Sequence, residues 1–323
     1  LNDALNCHNL HSRTSSLKDK TNGKNVMASI AANISRPIVR MMGRQLSSPA
    51  TAQGVRAAYD RWTKMLLTPL GVKSEKVTLG GRPCLKSTPK HARSDAVLLY
   101  FHGGGYIFGT LDGYRCFPER FGKAAGLVTY MPDYRLAPEH PFPAALDDAV
   151  AAYEELLKSY DASKIAIGGD SAGGGLSLAL LHRLRDEGRP LPNSAFLLSP
   201  WTDLTLSGDS HKTNATTELV VPEPLPTNSA NFYAGDTPKN HPSISPAFGS
   251  HKGLPPLLVQ ISTNEILWDD AKNLVEKARG EGVDVTYQPY EDMWHDWHLM
   301  APLVPEANKA IADIGAFVKS HLP

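Results

Sequence analysis

The chain has 323 residues, room for about two average domains or for one large α/β domain with an accessory piece. Apolar residues make up 41% and charged residues 20%, which excludes collagenous, coiled-coil and wholly disordered chains. Lys+Arg and Asp+Glu number 33 each, so a net charge of zero gives no electrostatic pull toward nucleic acid or anionic lipid.

In chain order, residues 1–26 are polar and lack the apolar core of a secretory signal, so they are expected to be a leader or alternative-start segment that activity does not need. Met27 opens a more protein-like stretch. Residues 28–67 are expected to form two helices divided near Ser47-Ser48-Pro49, with Ser48 capping the second. Ile30, Ile34, Ile38, Met41 and Met42 recur at helical spacing in the first, and Val55, Tyr59, Trp62 and Leu66 in the second. Short apolar runs then predict strands at Val97–Phe101, Leu127–Met131, Ile165–Ile167, Phe196–Leu198, Leu257–Ile261 and Val283–Tyr290. Helical stretches alternate with them at Ala144–Lys158, Leu176–Asp186, Asp270–Arg279 and Glu306–Lys319. This alternation predicts an α/β fold with a mostly parallel central sheet flanked by helices. The expected organisation is a helical cap over 27–75, joined by part of 203–230, and a catalytic domain over 76–323. The longest apolar runs, such as Ala96–Phe101 and Leu178–Leu181, fall far short of the roughly 18 residues of a membrane span. Cys7, Cys84 and Cys116 are odd in number and form no CxxC, which favours a reducing, cytoplasmic setting.

Two glycine-rich motifs carry chemistry. Gly169-Asp170-Ser171-Ala172-Gly173 matches G-x-S-x-G between a predicted strand and a predicted helix, the setting in which a tight turn exposes a serine Oγ. His102-Gly103-Gly104-Gly105 directly follows the strand Val97–Phe101, where bare backbone N–H groups can bind an oxyanion. A phosphate loop is the other use of such glycines, but neither G-x-x-x-x-G-K-[ST] nor G-x-G-x-x-G is present. A serine nucleophile needs a histidine base and an orienting acid, in the order Ser, acid, His. His295 and His298 follow the last strand, with His295 preferred. Glu265 is the first carboxylate after Leu257–Ile261, and Asp269, Asp270 and Asp203 remain rivals on position.

With these motifs the chain resembles the hormone-sensitive-lipase-like family of α/β-hydrolase esterases. His102–Gly105 matches the family's HGG[GA] signature and Gly169–Gly174 its GDSAGG elbow. Asp133-Tyr134-Arg135-Leu136-Ala137-Pro138-Glu139, Ser199-Pro200-Trp201 with Asp203, and Pro255-Pro256-Leu257 match further blocks, so the likeness runs from about residue 76 to the end. The resemblance implies His295, in Met293-Trp294-His295, as base, and Glu265, thirty residues earlier, as acid. The family's usual Asp in D-P-L is replaced here by Glu265-Ile266-Leu267. It further implies an oxyanion hole of Gly103, Gly104 and Ala172, an acyl-enzyme intermediate, and no cofactor or metal. Arg135, with Asp133 and Glu139, is expected to form an ion-paired turn that props the HGGG loop. Substrate contacts are expected from Tyr106, Phe108, Trp201 and Trp294, facing Ile34, Ile38, Met41 and Met42 of the cap. The expected partner is a small-molecule ester of short to medium acyl chain, not nucleic acid; a homodimer stays open. Alternatives are an amide or carbamate hydrolase of the same fold, or a non-catalytic ligand-binding relative.

Overall fold

The computed structural model describes residues 28–49, 51–63 and 66–323; residues 1–26, expected to be a leader, lie outside them. Eight strands build the frame: β1 (Val72–Leu79), β2 (Arg82–Pro89), β3 (Arg93–Phe101), β4 (Leu127–Pro132), β5 (Ile165–Asp170), β6 (Ser194–Leu198), β7 (Leu257–Ser262) and β8 (Val285–Tyr290). They lie in the order β1-β2-β4-β3-β5-β6-β7-β8. β2 is antiparallel to both β1 and β4, and every pairing from β4 through β3 to β8 is parallel.

Central strands such as β5, β6 and β7 are buried along their whole length, which is why they read as unbroken apolar runs. Parallel neighbours require crossovers, and helices supply them. α3 (Cys116–Ala125) and α9 (Pro305–His321) pack on each other over one face. α4 (Ala144–Leu157), α5 (Ser171–Asp186) and α8 (Trp268–Gly280) cover the other. The β1–β2 hairpin escaped the sequence reading because its first strand, VKSEKVTL, lies largely exposed at the sheet edge and carries almost no apolar signal. β1 also straddles residue 76, where the catalytic domain was expected to begin.

The N-terminal cap consists of α1 (Ile30–Ser47) and α2 (Ala52–Thr63). Ser29 caps α1, its hydroxyl accepting the Ala32 N–H at 3.1 Å while donating to Glu306 of α9 at 2.9 Å. Two expectations are corrected here. Thr51, not Ser48, caps α2, accepting the Gly54 N–H at 3.2 Å, and the Ser48 N–H instead closes the end of α1 on Arg44. Of the apolar residues of α1 that were expected to turn inward, Ile34 is 69% and Met41 49% accessible, like Ile30 at 80%, whereas Ile38 and Met42 face the cavity described below. The buried face is Ala32, Ser35, Val39, Gly43 and Leu46. Close approach is the reason: a Cβ on Gly43 would overlap the Leu219 carbonyl oxygen, so small residues must face the core side. A polar insertion after β6, containing the four-residue α6 (Ser210–Thr213) and α7 (Leu225–Ala234), meets the cap there, and Ser47 donates to the Pro222 carbonyl at 3.0 Å.

Candidate active site

β5 runs directly into α5 at Asp170–Ser171. Ser171 adopts φ +51°, a left-handed backbone rare for a residue with a Cβ, and this turn lifts its side chain above the sheet. Gly173 makes the turn fit, since a Cβ there would strike the carbonyl oxygen of Phe101 on β3.

Glu265 sits in the turn after β7 and is fully buried. Its Oε1 accepts the Ser262 N–H at 2.7 Å and the Ser199 hydroxyl at 2.8 Å, leaving Oε2 for His295 Nδ1 at 2.7 Å. Burial pushes the Glu265 carboxyl up, and the hydrogen bond from His295 pulls it back. Burial likewise opposes a charge on His295, but Asp296 and Glu265 outweigh it and raise the imidazole to about 10. The rival acids are engaged elsewhere. Asp270 accepts the Thr202 and Asp203 N–H groups, each at 2.8 Å; Asp269 accepts that of Ser210, and Asp203 that of Thr205. His298 is bound to Gln260 at 2.9 Å, deep below the site.

The HGGG loop closes the other side. His102 is stacked between Tyr134 and Tyr114, bonded to the Gly103 carbonyl at 2.8 Å, and driven down to about 4 by burial, so it is a neutral prop. Gly104 takes φ +95°, a backbone that glycine alone adopts without strain. Among the described residues, neither its N–H nor that of Ala172, in the first turn of α5, has a protein acceptor. The Gly103 N–H differs: both oxygens of Asp170 accept it, at 3.0 Å.

Above these groups lies a cavity of about 230 Å³. Ser171, His295 and Asp296 form its floor; Phe108, Trp201 and Trp294 contribute core walls. Ile38, Val39 and Met42 of α1, Tyr59 and Trp62 of α2, and Val220 and Val221 of the insertion roof it.

The model of the alpha/beta hydrolase fold family matches residues 98–299. The chain belongs to that family. Within it, the hydrolase is 41% identical over 267 residues to an acetyl-hydrolase of Streptomyces hygroscopicus, covering 82% of this chain and 89% of that one. It is 35% identical over 231 residues to an esterase of Acinetobacter venetianus, covering 71% and 76%. A solved esterase of the bacterial hormone-sensitive lipase family superposes with a TM-score of 0.88 at 38% identity, covering 92% of this chain and all of that one. The hydrolase is thus a hormone-sensitive-lipase-like member and a carboxylic ester hydrolase. No helix among the described residues is long and apolar enough to cross a membrane.

Other expectations for this hydrolase change. Tyr106 does not line the cavity: at φ +62° its ring turns into the core and stacks on Tyr233, 3.7 Å away and nearly parallel. Arg135 pairs with neither Asp133 nor Glu139 but forks onto Asp148 of α4, while Glu139 binds Arg56 of α2 at 2.7 Å and so ties cap to core. Three contributors were missed. Ser199 donates to Glu265, and Glu218 joins the insertion to the Glu265 turn by accepting the Val220 and Ile266 N–H groups. Asp296 reaches His295 from the next position along the chain. Only Ser199 had a signal, its place in a family block.

Proposed function

We propose that this hydrolase is a serine carboxylesterase for short- to medium-chain acyl esters, working through Ser171, His295 and Glu265. The observation that carries the reading is the His295 imidazole bonded to Glu265 at 2.7 Å, beside a strained Ser171 on the floor of an apolar cavity. In this mechanism Ser171 Oγ attacks the ester carbonyl carbon as its proton passes to His295 Nε2. The carbonyl electron pair moves onto oxygen, where the N–H groups of Gly104 and Ala172 receive it, each such donor contributing about 3–4 kcal/mol. Gly103, expected to share this role, acts through Asp170 instead. The tetrahedral species collapses, the C–O bond breaks, and His295 gives its proton to the departing alcohol. Water then attacks the acyl-serine, its proton passing to Nε2 and on to Ser171 Oγ, and the acid leaves. Glu265 stays ionised throughout and stabilises the imidazolium.

The cavity's size supports the substrate class. Each buried methylene gains about 0.8 kcal/mol, so kcat/KM rises with acyl length until the roof is reached. We expect the maximum between roughly four and eight carbons. A p-nitrophenyl ester series, with Ser171→Ala as blank and a matched amide beside it, tests this. A sixteen-carbon optimum removes the size argument, and an amide turned over faster than its ester replaces the reaction class.

A further inference from the structure

The cavity floor holds one carboxylate that the mechanism does not use. Asp296 is nine-tenths buried, and its Oδ2 lies 3.2 Å from His295 Nε2, the nitrogen that must take the serine proton. Among the described residues no hydrogen bond joins Ser171 Oγ to that nitrogen, and the Asp296 carboxyl is its ion-pair neighbour. The carboxylate reaches there through φ +54°, a backbone that costs most residues about 1–2 kcal/mol but that Asp and Asn tolerate best after glycine. Its Oδ1 has no donor among the described residues, and the carboxyl lies within hydrogen-bonding reach of Asp170.

We propose that Asp296 is a positioning residue that holds His295 by Nε2 in competition with Ser171, and thereby sets the pH at which the base becomes available. The proposal rests on reading Ser171 and His295 as nucleophile and base. The imidazole has a carboxyl group at each nitrogen, Glu265 hydrogen-bonded to Nδ1 and Asp296 within ion-pair distance of Nε2. When ionised, both favour the imidazolium, which has no lone pair left for the serine proton. Burial pushes the Asp296 carboxyl up, the His295 charge pulls it back, and the negative field of Asp170 at the end of β5 adds to the rise; burial likewise pushes the Asp170 carboxyl up to about 6. Glu218 of the insertion adds negative field at His295, and His298, driven down to about 3, stays neutral. Tyr59 of α2, Tyr100 of β3 and Tyr114 before α3 face the same charges and are pushed further up, so they remain protonated. His295 and the Asp170–Asp296 pair are therefore the groups that titrate. Rising pH removes the Nε2 proton and frees the base, which gives kcat/KM an alkaline-shifted acid limb.

The test is the kcat/KM profile of the wild type and Asp296→Asn on a short-chain ester, with Asp296→Gly as a second variant whose backbone suits positive φ. The acid limb is expected to move down by about one pH unit or more, a tenfold gain at pH values below the wild-type limb. KM should stay within about threefold, because ground-state binding is apolar. The His295 Nδ1 proton resonance, followed against pH in the same proteins, should show the matching shift. Unmoved limbs and resonances in both variants overturn the proposal. Turnover persisting in Ser171→Ala or His295→Ala overturns instead the reading on which it rests, so the two failures are distinguishable.

Discussion

The sheet and the cap present their apolar residues in opposite ways. In the core, large side chains such as Tyr100, Phe101 and Phe196 are wholly buried, and the strands hold the elbow, the HGGG loop and the acid turn at fixed positions. In the cap, α1 turns its small residues inward and leaves Ile30, Ile34 and Met41 in solvent, while Ile38, Val39 and Met42 hang over the cavity. On the proposed reading the core fixes the chemistry, and the cap decides what fits beneath it. Polar ties, Arg56 to Glu139 and Ser29 to Glu306, join the two.

If that division holds, core substitutions should abolish turnover without touching the fold. Ser171→Ala should remove esterase activity, by more than about a thousandfold, with an unchanged circular dichroism spectrum. Glu265→Gln should lower kcat by roughly 10²–10⁴ by leaving the imidazole without its orienting charge; equal or larger loss in Asp270→Asn, with Glu265→Gln active, would reassign the acid. Cap substitutions should instead change the substrate range. Met42→Trp, which fills part of the cavity, should move the acyl-length optimum down by about two carbons while kcat on the shortest ester stays within about threefold. Gly43→Val should push α1 off the Leu219 carbonyl and cost about 1–3 kcal/mol in thermal unfolding. The smallest effect is expected on the outer face of α1, where Ile34→Gln should stay within about 0.5 kcal/mol and leave kinetics unchanged. A large kinetic effect there would mean that the outer ridge of α1 takes part in the reaction cycle.

The same division decides what was legible in the sequence. Buried parallel strands are apolar on both faces, so β5, β6 and β7 stood out, and the elbow and HGGG motifs needed only their place beside the strands. Glu265 and His295 followed from chain order together with the family likeness. The cap's orientation was not legible, because helical periodicity identifies an apolar stripe but not a close contact that only glycine fits at position 43. Tyr106 was misplaced for a related reason: its positive φ, which turns the ring toward Tyr233, leaves no trace in residue type. Asp296 carries no signal in residue type, and only the backbone geometry brings its carboxylate near Nε2.

The most direct test of the account is to trap the acyl-enzyme. Enzyme turning over a short-chain p-nitrophenyl ester is quenched in acid, digested and weighed peptide by peptide. The account predicts one acyl group on the peptide containing Ser171, absent in Ser171→Ala and strongly diminished in His295→Ala. Sustained turnover with the acyl group on another residue, or with no adduct under conditions that slow deacylation, would contradict it.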